Sequence, residues 1–268
     1  MTTLPPFSAL EASGRWSTVD FISDLHLKPE EPLTFDAWAH YMAAPRADAV
    51  FILGDLFEAW VGDDGATPGS FEARCGDVLR DCHADVAFMQ GNRDFLLGDD
   101  FLAPRGVRAL PDPTVLSIAG QRLVLTHGDL LCTDDRPYQQ FRAQVRAPAW
   151  QRAFLARPLA ERRDVARRMR AESQARHDAH SAPDEYAHAN HALARAWLLG
   201  AGATTLIHGH THQPADHPLG NDGEGRALTQ MVLSDWHIEP AERRAQVLRL
   251  DTESGRLARI DPQLARAS

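Results

Sequence analysis

Apolar residues along the chain fall into short runs that end abruptly in polar, glycine-bearing turns. Thr18-Val19-Asp20-Phe21-Ile22, Ala49-Val50-Phe51-Ile52-Leu53, Val86-Ala87-Phe88-Met89, Leu123-Val124-Leu125 and Thr204-Thr205-Leu206-Ile207 have this form, which predicts buried strands. Between the first three, Leu33 to Ala43 and Phe71 to Cys82 are helix-like, so the first half alternates strand and helix and predicts a largely parallel sheet. After Asp112-Pro113 the pattern changes to a hairpin, Val115 to Ile118 and Arg122 to Thr126 around Ala119-Gly120-Gln121. Residues 134–199 read as helical almost throughout, with Phe141, Val145, Trp150, Phe154, Leu155, Leu159 and Met169 set among arginines. Strands return at Gln230 to Leu233, Gln246 to Leu250 and Leu257 to Ile260. The expected architecture is one α/β domain over residues 1–268, with the helical block 134–199 inserted into a β-rich frame and covering the site.

A chain of 268 residues, 44% apolar, buries a full core without disulfides. Cys75, Cys82 and Cys132 are odd in number and form no C-x-x-C pair, which predicts reduced thiols in a cytosolic setting. Met1 to Trp16 has neither a basic nor an apolar signal region, and no run approaches the ~18 apolar residues of a membrane span. A formal charge of −9 argues against non-specific binding to nucleic acid, which needs basic residues to neutralise phosphates. That sum hides an asymmetry. Lys28 is the single lysine, and eleven arginines lie between Arg136 and Arg176, so this window carries +8 and the rest of the chain −17.

Each of the five apolar runs named first is followed at once by residue types that bind metals: Ser23-Asp24-Leu25-His26, Gly54-Asp55, Gly91-Asn92-Arg93-Asp94, His127-Gly128-Asp129 and His208-Gly209-His210-Thr211-His212. In an open α/β sheet the ligand site lies beyond the carboxyl ends of the strands, so the five loops can converge. Asp24 with His26, and His210 with His212, are two apart, and in extended chain such pairs point to one side, each suited to one ion. Any one motif has a plain alternative, a turn cap for Asp24 or a core histidine for His26; five motifs after five strands favour a metal site. Two carboxylates, four imidazoles and an amide oxygen, with no thiolate, suit Mn²⁺, Fe or Zn²⁺ better than Ca²⁺ or Mg²⁺. Seven ligands exceed what one tetrahedral ion takes. A two-metal centre with Asp55 as the bridging candidate is the economical solution, because ions about 3.5–4 Å apart share a hydroxide and stabilise an in-line displacement at phosphorus. His40, His83, His177, His180, His188, His191, His217 and His237 are expected as surface or core residues, and His208 is expected to point away from the pair.

The order D-x-H, G-D, G-N, H, G-H-x-H resembles the calcineurin-like metallophosphoesterase superfamily over nearly the whole chain. The resemblance implies a sandwich of two mixed β-sheets flanked by helices. It places Asp24, His26, Asp55 and His212 at one ion and Asp55, Asn92, His127 and His210 at the other. Many members carry histidine after the asparagine, where this chain has Arg93. Arginine does not release a proton near neutral pH, but its planar fork suits a diphosphate, so the leaving group is expected to be a phosphate that needs little acid assistance.

The longer strings Leu53 to Asp64, Gly91 to Gly98 and His127 to Asp135 are similar to the branch of the superfamily that acts in lipid A biosynthesis. This implies a lipid-linked UDP-sugar substrate: UDP-2,3-diacylglucosamine hydrolysed to UMP and 2,3-diacylglucosamine 1-phosphate by hydroxide attack on the α-phosphorus, with two divalent ions, Mn²⁺ preferred. Asp55, Asn92 and Arg93 are then catalytic, Asn92, Arg93 and His210 meet substrate phosphate, Asp135 meets the glucosamine side, and Ser173 is the substrate-binding serine. The helical block would line a groove for acyl chains and bring arginines to anionic headgroups, each contributing ~1 kcal/mol near the surface. Its plain alternative is a packed helical hairpin with solvated arginines. The implied location is cytoplasmic, peripheral on the inner membrane, with no obligatory protein partner. His177, Asp178 and His180 stand where the branch supplies asparagine and lysine, and Gln213 where members often have arginine. The alternatives are a phosphodiesterase for a soluble nucleotide or dinucleotide and a non-catalytic binding scaffold.

Overall fold

The computed structural model describes residues 4–179 and 188–266, with the backbone alone over 172–179. In chain order the elements are β1 (Ser8–Glu11), β2 (Thr18–Ile22), α1 (Pro32–Met42), β3 (Ala49–Leu53), α2 (Phe71–Asp81), β4 (Asp85–Met89), α3 (Asp99–Leu102), β5 (Arg108–Leu110), β6 (Thr114–Ile118) and β7 (Gln121–Leu125). Then come α4 (Arg136–Val145), α5 (Pro148–Leu155), α6 (Leu159–Ala179), α7 (His191–Ala201), β8 (Thr205–His208), β9 (Ala215–Asn221), β10 (Ala227–Val232), β11 (His237–Glu239), β12 (Glu242–Arg244), β13 (Val247–Asp251) and β14 (Arg256–Ile260). One six-stranded sheet runs β14-β13-β2-β3-β4-β5 and the other β1-β6-β7-β8-β10-β9, with β11 and β12 as a separate hairpin. Strands β2 to β5 are parallel and β13 and β14 antiparallel; the second sheet is also mixed.

Alternation of side chains along each strand explains the layers. Phe21, Phe51, Leu53 and Met89 face Leu116, Leu123, Leu125 and Ile207 across the two sheets. Ile22, Val50, Ile52 and Phe88 turn the other way, onto Trp38, Tyr41, Leu79 and Phe101 of α1, α2 and α3. On the far side, Val115, Val124 and Leu206 are covered by Ala194, Trp197 and Leu198 of α7. Strands buried on both faces read as continuous apolar runs, which is why they are visible in the sequence. Asp20 is the exception inside β2: fully buried, it accepts from Arg249 Nε at 2.7 Å and from the Tyr41 hydroxyl at 2.8 Å. Arg249 lies opposite Asp20 in the β13–β2 ladder, so the ion pair marks that register.

Local chemistry sets the helix ends. Ser70 accepts from the Ala73 amide at the start of α2, Asn190 from Leu193 at the start of α7, and Gly202 closes α7 in the left-handed conformation. Among the described residues no helix is long and apolar enough to cross a membrane. All three cysteines are free, with Cys75 and Cys132 buried.

Candidate metal centre

The turns after β2, β3, β4, β7 and β8 carry the seven predicted ligands, and the structure brings them together. Asp24 Oδ1 lies 3.5 Å from His212 Nε2 and 4.0 Å from His26 Nε2. Asp55 stands between two groups: Oδ2 is 3.9 Å from His26 Nε2 and Oδ1 is 3.8 Å from His127 Nε2. The Asn92 amide is 2.8 Å from both His127 Nε2 and His210 Nδ1. Two overlapping sets, Asp24 with His26 and His212, and Asp24 with Asp55 and His127, have donor atoms close enough to hold an ion.

The backbone route to this cluster differs from the extended pairs that the spacing suggests. Asp24, His26, Asp55, His210 and His212 have φ of 53°, 48°, 54°, 69° and 53°, in the left-handed region that side chains other than glycine rarely enter. Of the non-glycine residues with positive φ among those described, only Ala119 lies elsewhere, so this strain is concentrated at the site. As a result His210 and His212 part company: His210 turns to Asn92, and His212 turns to His26, 3.1 Å between the Nε2 atoms. Close approach matters too. A Cβ on Gly91 would stand 2.1 Å from Asp55 Oδ1, and one on Gly209 would stand 2.1 Å from Asp24 Oδ2.

The donor set fits divalent ions. Asp24, Asp55 and His127 are almost wholly buried, and buried carboxylates need a positive partner. Burial opposes the charge on His127, yet Asp55, Asp129 and Asp24 outweigh it and raise the imidazole to about 9. Burial likewise opposes ionised Asp24, but His212, His127 and His26 hold it far below the usual carboxylate range. His210 is lowered to about 4 by burial and by His127. His127 Nδ1 lies 3.0 Å from the Leu53 carbonyl, which only accepts, so the neutral ring keeps its proton there and aims the Nε2 lone pair into the site. With the Asn92 oxygen turned inward, three lone pairs meet at one point, as at a cation; with its nitrogen inward, the amide donates to both rings and to Asp55 Oδ2 at 3.2 Å.

Several residues that motif spacing does not assign hold this arrangement. The buried Asp94 carboxylate accepts from the amides of Leu56 at 2.7 Å, Gly91 at 2.8 Å and Asp55 and Phe57 at 3.3 Å, clamping the β3 and β4 turns together. Burial and the neighbouring Asp55 push Asp94 up to about 6. Glu58 Oε2 lies 3.2 Å from His26 Nδ1. Burial opposes its charge, but His26, Arg93 and Arg170 hold it at about 2. The only signal for Glu58 is an acid in an otherwise apolar string, and Asp94 stands inside the Gly91-Asn92-Arg93-Asp94 string without a spacing that names its role.

Around the rim, Arg93 donates its amide to Asp55 Oδ1 at 2.8 Å, and its Nε is 4.0 Å from Asp55 Oδ2. Arg170 of α6 pairs with Glu58, and the Tyr138 ring lies 5.8 Å from that of His210. Asp135 accepts from the Tyr138 amide at 2.9 Å and so caps α4 at the edge of the site. The side chains of Ser173, His177 and Asp178, and all of His180, lie outside the described residues. His208 is buried and turned away from the ligands, its Nε2 toward Gln230.

A two-sheet sandwich with acids, imidazoles and an amide gathered at its strand ends defines a class. The chain belongs to the calcineurin-like phosphoesterase family, metal-dependent hydrolases, whose model matches residues 17–214. It is 47% identical over 242 residues to the UDP-2,3-diacylglucosamine hydrolase of Stenotrophomonas maltophilia (strain R551-3), covering 87% of this chain and 95% of that one. It is 43% identical over 251 residues to the UDP-2,3-diacylglucosamine hydrolase of Xanthomonas axonopodis pv. citri, covering 91% and 99%. Among solved structures, the zinc complex of Vps29 from Entamoeba histolytica aligns with 91% of this chain and 99% of its own at 14% identity, with a TM-score of 0.40.

Proposed function

We propose that this protein hydrolyses the diphosphate of UDP-2,3-diacylglucosamine to UMP and 2,3-diacylglucosamine 1-phosphate, using two divalent ions, Mn²⁺ by preference. The observation that carries this reading is Asp55, whose two oxygens face separate histidines, in a chain 47% identical to a hydrolase of that name. Asp24, His26, Asp55 and His212 would hold one ion and Asp55, Asn92, His127 and His210 the other. Bound there, the ions activate water and neutralise phosphate charge. Asp94 and the Leu53 carbonyl keep Asp55 and His127 aimed. Arg93 binds phosphate oxygens with its fork and stabilises charge there without donating a proton. Asn92 and His210 meet the same phosphate, and Asp135 and Ser173 the sugar side.

The helices over 134–199 serve as the inserted cover. Phe95 and Trp150 lie 6.1 Å apart and Trp150 stacks on Phe154 at 4.9 Å, an apolar wall suited to acyl chains. Arg152, Arg157, Arg163 and Arg168 are exposed, as is Leu155 at 40%, and such residues suit an anionic membrane surface. The location that follows is the cytoplasmic side of the inner membrane, without an obligatory protein partner. The deciding assay compares UDP-2,3-diacylglucosamine with UDP-glucosamine. The lipid substrate is expected to turn over far faster, whereas equal rates would make the enzyme a phosphodiesterase for soluble nucleotides.

A further inference from the structure

Behind the ligand loop that follows β8, a hydrogen-bonded chain of side chains crosses the second sheet. His208 is fully buried, and its Nδ1 lies 2.8 Å from the Gly209 carbonyl. A carbonyl only accepts, so Nδ1 carries the proton and Nε2 presents a lone pair. Gln230 Nε2, 2.8 Å away, donates to that lone pair. The Gln230 oxygen then accepts from His191 Nδ1 at 2.7 Å. Gln230 is itself fully buried on β10, and His191 opens α7 at the outer face, its ring 4.7 Å from that of His217. Donation therefore runs one way, from His191 through Gln230 and His208 to Gly209. Reversing any ring or amide would set two donors or two acceptors face to face.

The inner end of this chain meets the metal loops. The Gly209 amide donates to the His127 carbonyl at 2.9 Å, while the next amide, that of His210, donates to Asp24 Oδ2 at 2.9 Å. His208 thus holds the carbonyl of the Gly209–His210 peptide, whose own N–H meets Asp24, while the N–H of the preceding peptide meets His127. We propose that His208, Gln230 and His191 form an internal strut that fixes the Gly209 peptide and so the aim of His210 and His212, as positioning residues acting through Gly209. The proposal rests on the reading of His210 as a metal ligand, and its test separates the two.

The full-length protein would be titrated with Mn²⁺ alone by calorimetry, with thermal melting in EDTA as the control for folding. Gln230→Met keeps the volume but strands the His208 lone pair, and is expected to weaken Mn²⁺ binding about 10- to 100-fold. At saturating Mn²⁺ its KM should match the parent while kcat falls. His191→Asn retains a donor at the place of Nδ1 and should bind Mn²⁺ like the parent, whereas His191→Phe should lose part of the affinity. Parental Mn²⁺ affinity in Gln230→Met, alongside its loss in His210→Ala, would overturn the strut and leave the metal reading standing. Unchanged affinity in His210→Ala would overturn the metal reading itself. Should Gln230→Met fail to fold, the exposed His191 pair decides: equal affinity for asparagine and phenylalanine overturns the strut.

Discussion

The strand-end loops and the helices α4 to α6 meet at one rim, yet they are held by opposite means. The loops are fixed through backbone groups: Asp94 gathers the amides of the β3 and β4 turns, Asp24 takes that of His210, and the Leu53 carbonyl orients His127. The helices set Phe154 and Trp150 against the body and are otherwise tied by the tips of long side chains. Arg142 reaches Asp129 at 2.7 Å, Arg146 reaches the Gln90 side chain and the Gly91 carbonyl at 2.9 Å, Arg162 reaches Asp64 and the Val61 carbonyl, and Arg170 reaches Glu58. Short backbone contacts in a buried place leave little freedom; among the arginine ties the partly exposed Arg170 has the most room to shift, while Arg162, 2% exposed, is as enclosed as the floor. The loops form a fixed floor for the chemistry, and if the helices cover it as proposed, their arginine ties are the part that must yield to admit a bulky substrate. These ties also divide the basic segment, since among the described residues Arg142, Arg146, Arg162 and Arg170 are engaged with the body of the protein.

The largest effect should come from the floor. Asp55→Ala removes the carboxylate that faces both His26 and His127, and activity should fall to that of the metal-free protein with fewer than two ions retained by elemental analysis. Two ions and full turnover would break the comparison at its root. Arg93→Ala stands at the boundary: kcat should drop about 10²- to 10³-fold with metal content intact, and an unchanged rate would remove Arg93 from the chemistry. Cutting one tether is milder. Arg162→Ala exposes the Val61 carbonyl and frees Asp64, and should lower stability by about 1.5 kcal/mol with KM raised more than kcat is lowered, as seen by melting and steady-state kinetics. A fall in metal content instead would show that the cover and floor are one unit. The smallest effect belongs to the outer face, where Leu155→Asp should weaken binding to anionic vesicles about fivefold, roughly 1 kcal/mol, without touching turnover of detergent-dispersed substrate. Parental vesicle binding would move the docking surface elsewhere.

The sequence pattern exposed the two regions unequally, for physical reasons. Strands such as Ala49–Leu53 are buried on both faces and announce themselves as apolar runs. Ser8–Glu11, Arg108–Leu110 and Ala215–Asn221 lie at sheet edges, alternate or face water, and exist as strands only because a neighbour pairs with them. The ligand types were legible because acids, imidazoles and an amide recur after five strands, although each alone has an ordinary use. Their left-handed backbone was not, since nothing in a D-x-H or G-H-x-H string separates it from extended chain. Nor does composition tell which side of a helix an arginine takes: Arg162 is buried and its neighbour Arg163 exposed. The roles of Asp94 and Glu58 are not legible, because holding backbone amides or standing beside an imidazole leaves no spacing rule behind.

The left-handed ligands have a practical consequence for mutagenesis. At Asp24 and Asp55, alanine would change two properties at once, removing the carboxylate and placing a residue ill suited to positive φ in a conformation that costs roughly 1–2 kcal/mol. Asparagine tolerates that conformation, removes the charge and keeps one of the two oxygens. The step from aspartate to asparagine therefore reads the charge and one oxygen, and the step from asparagine to alanine reads the other oxygen together with the backbone, which turns a conformational oddity into a calibration built into the chain.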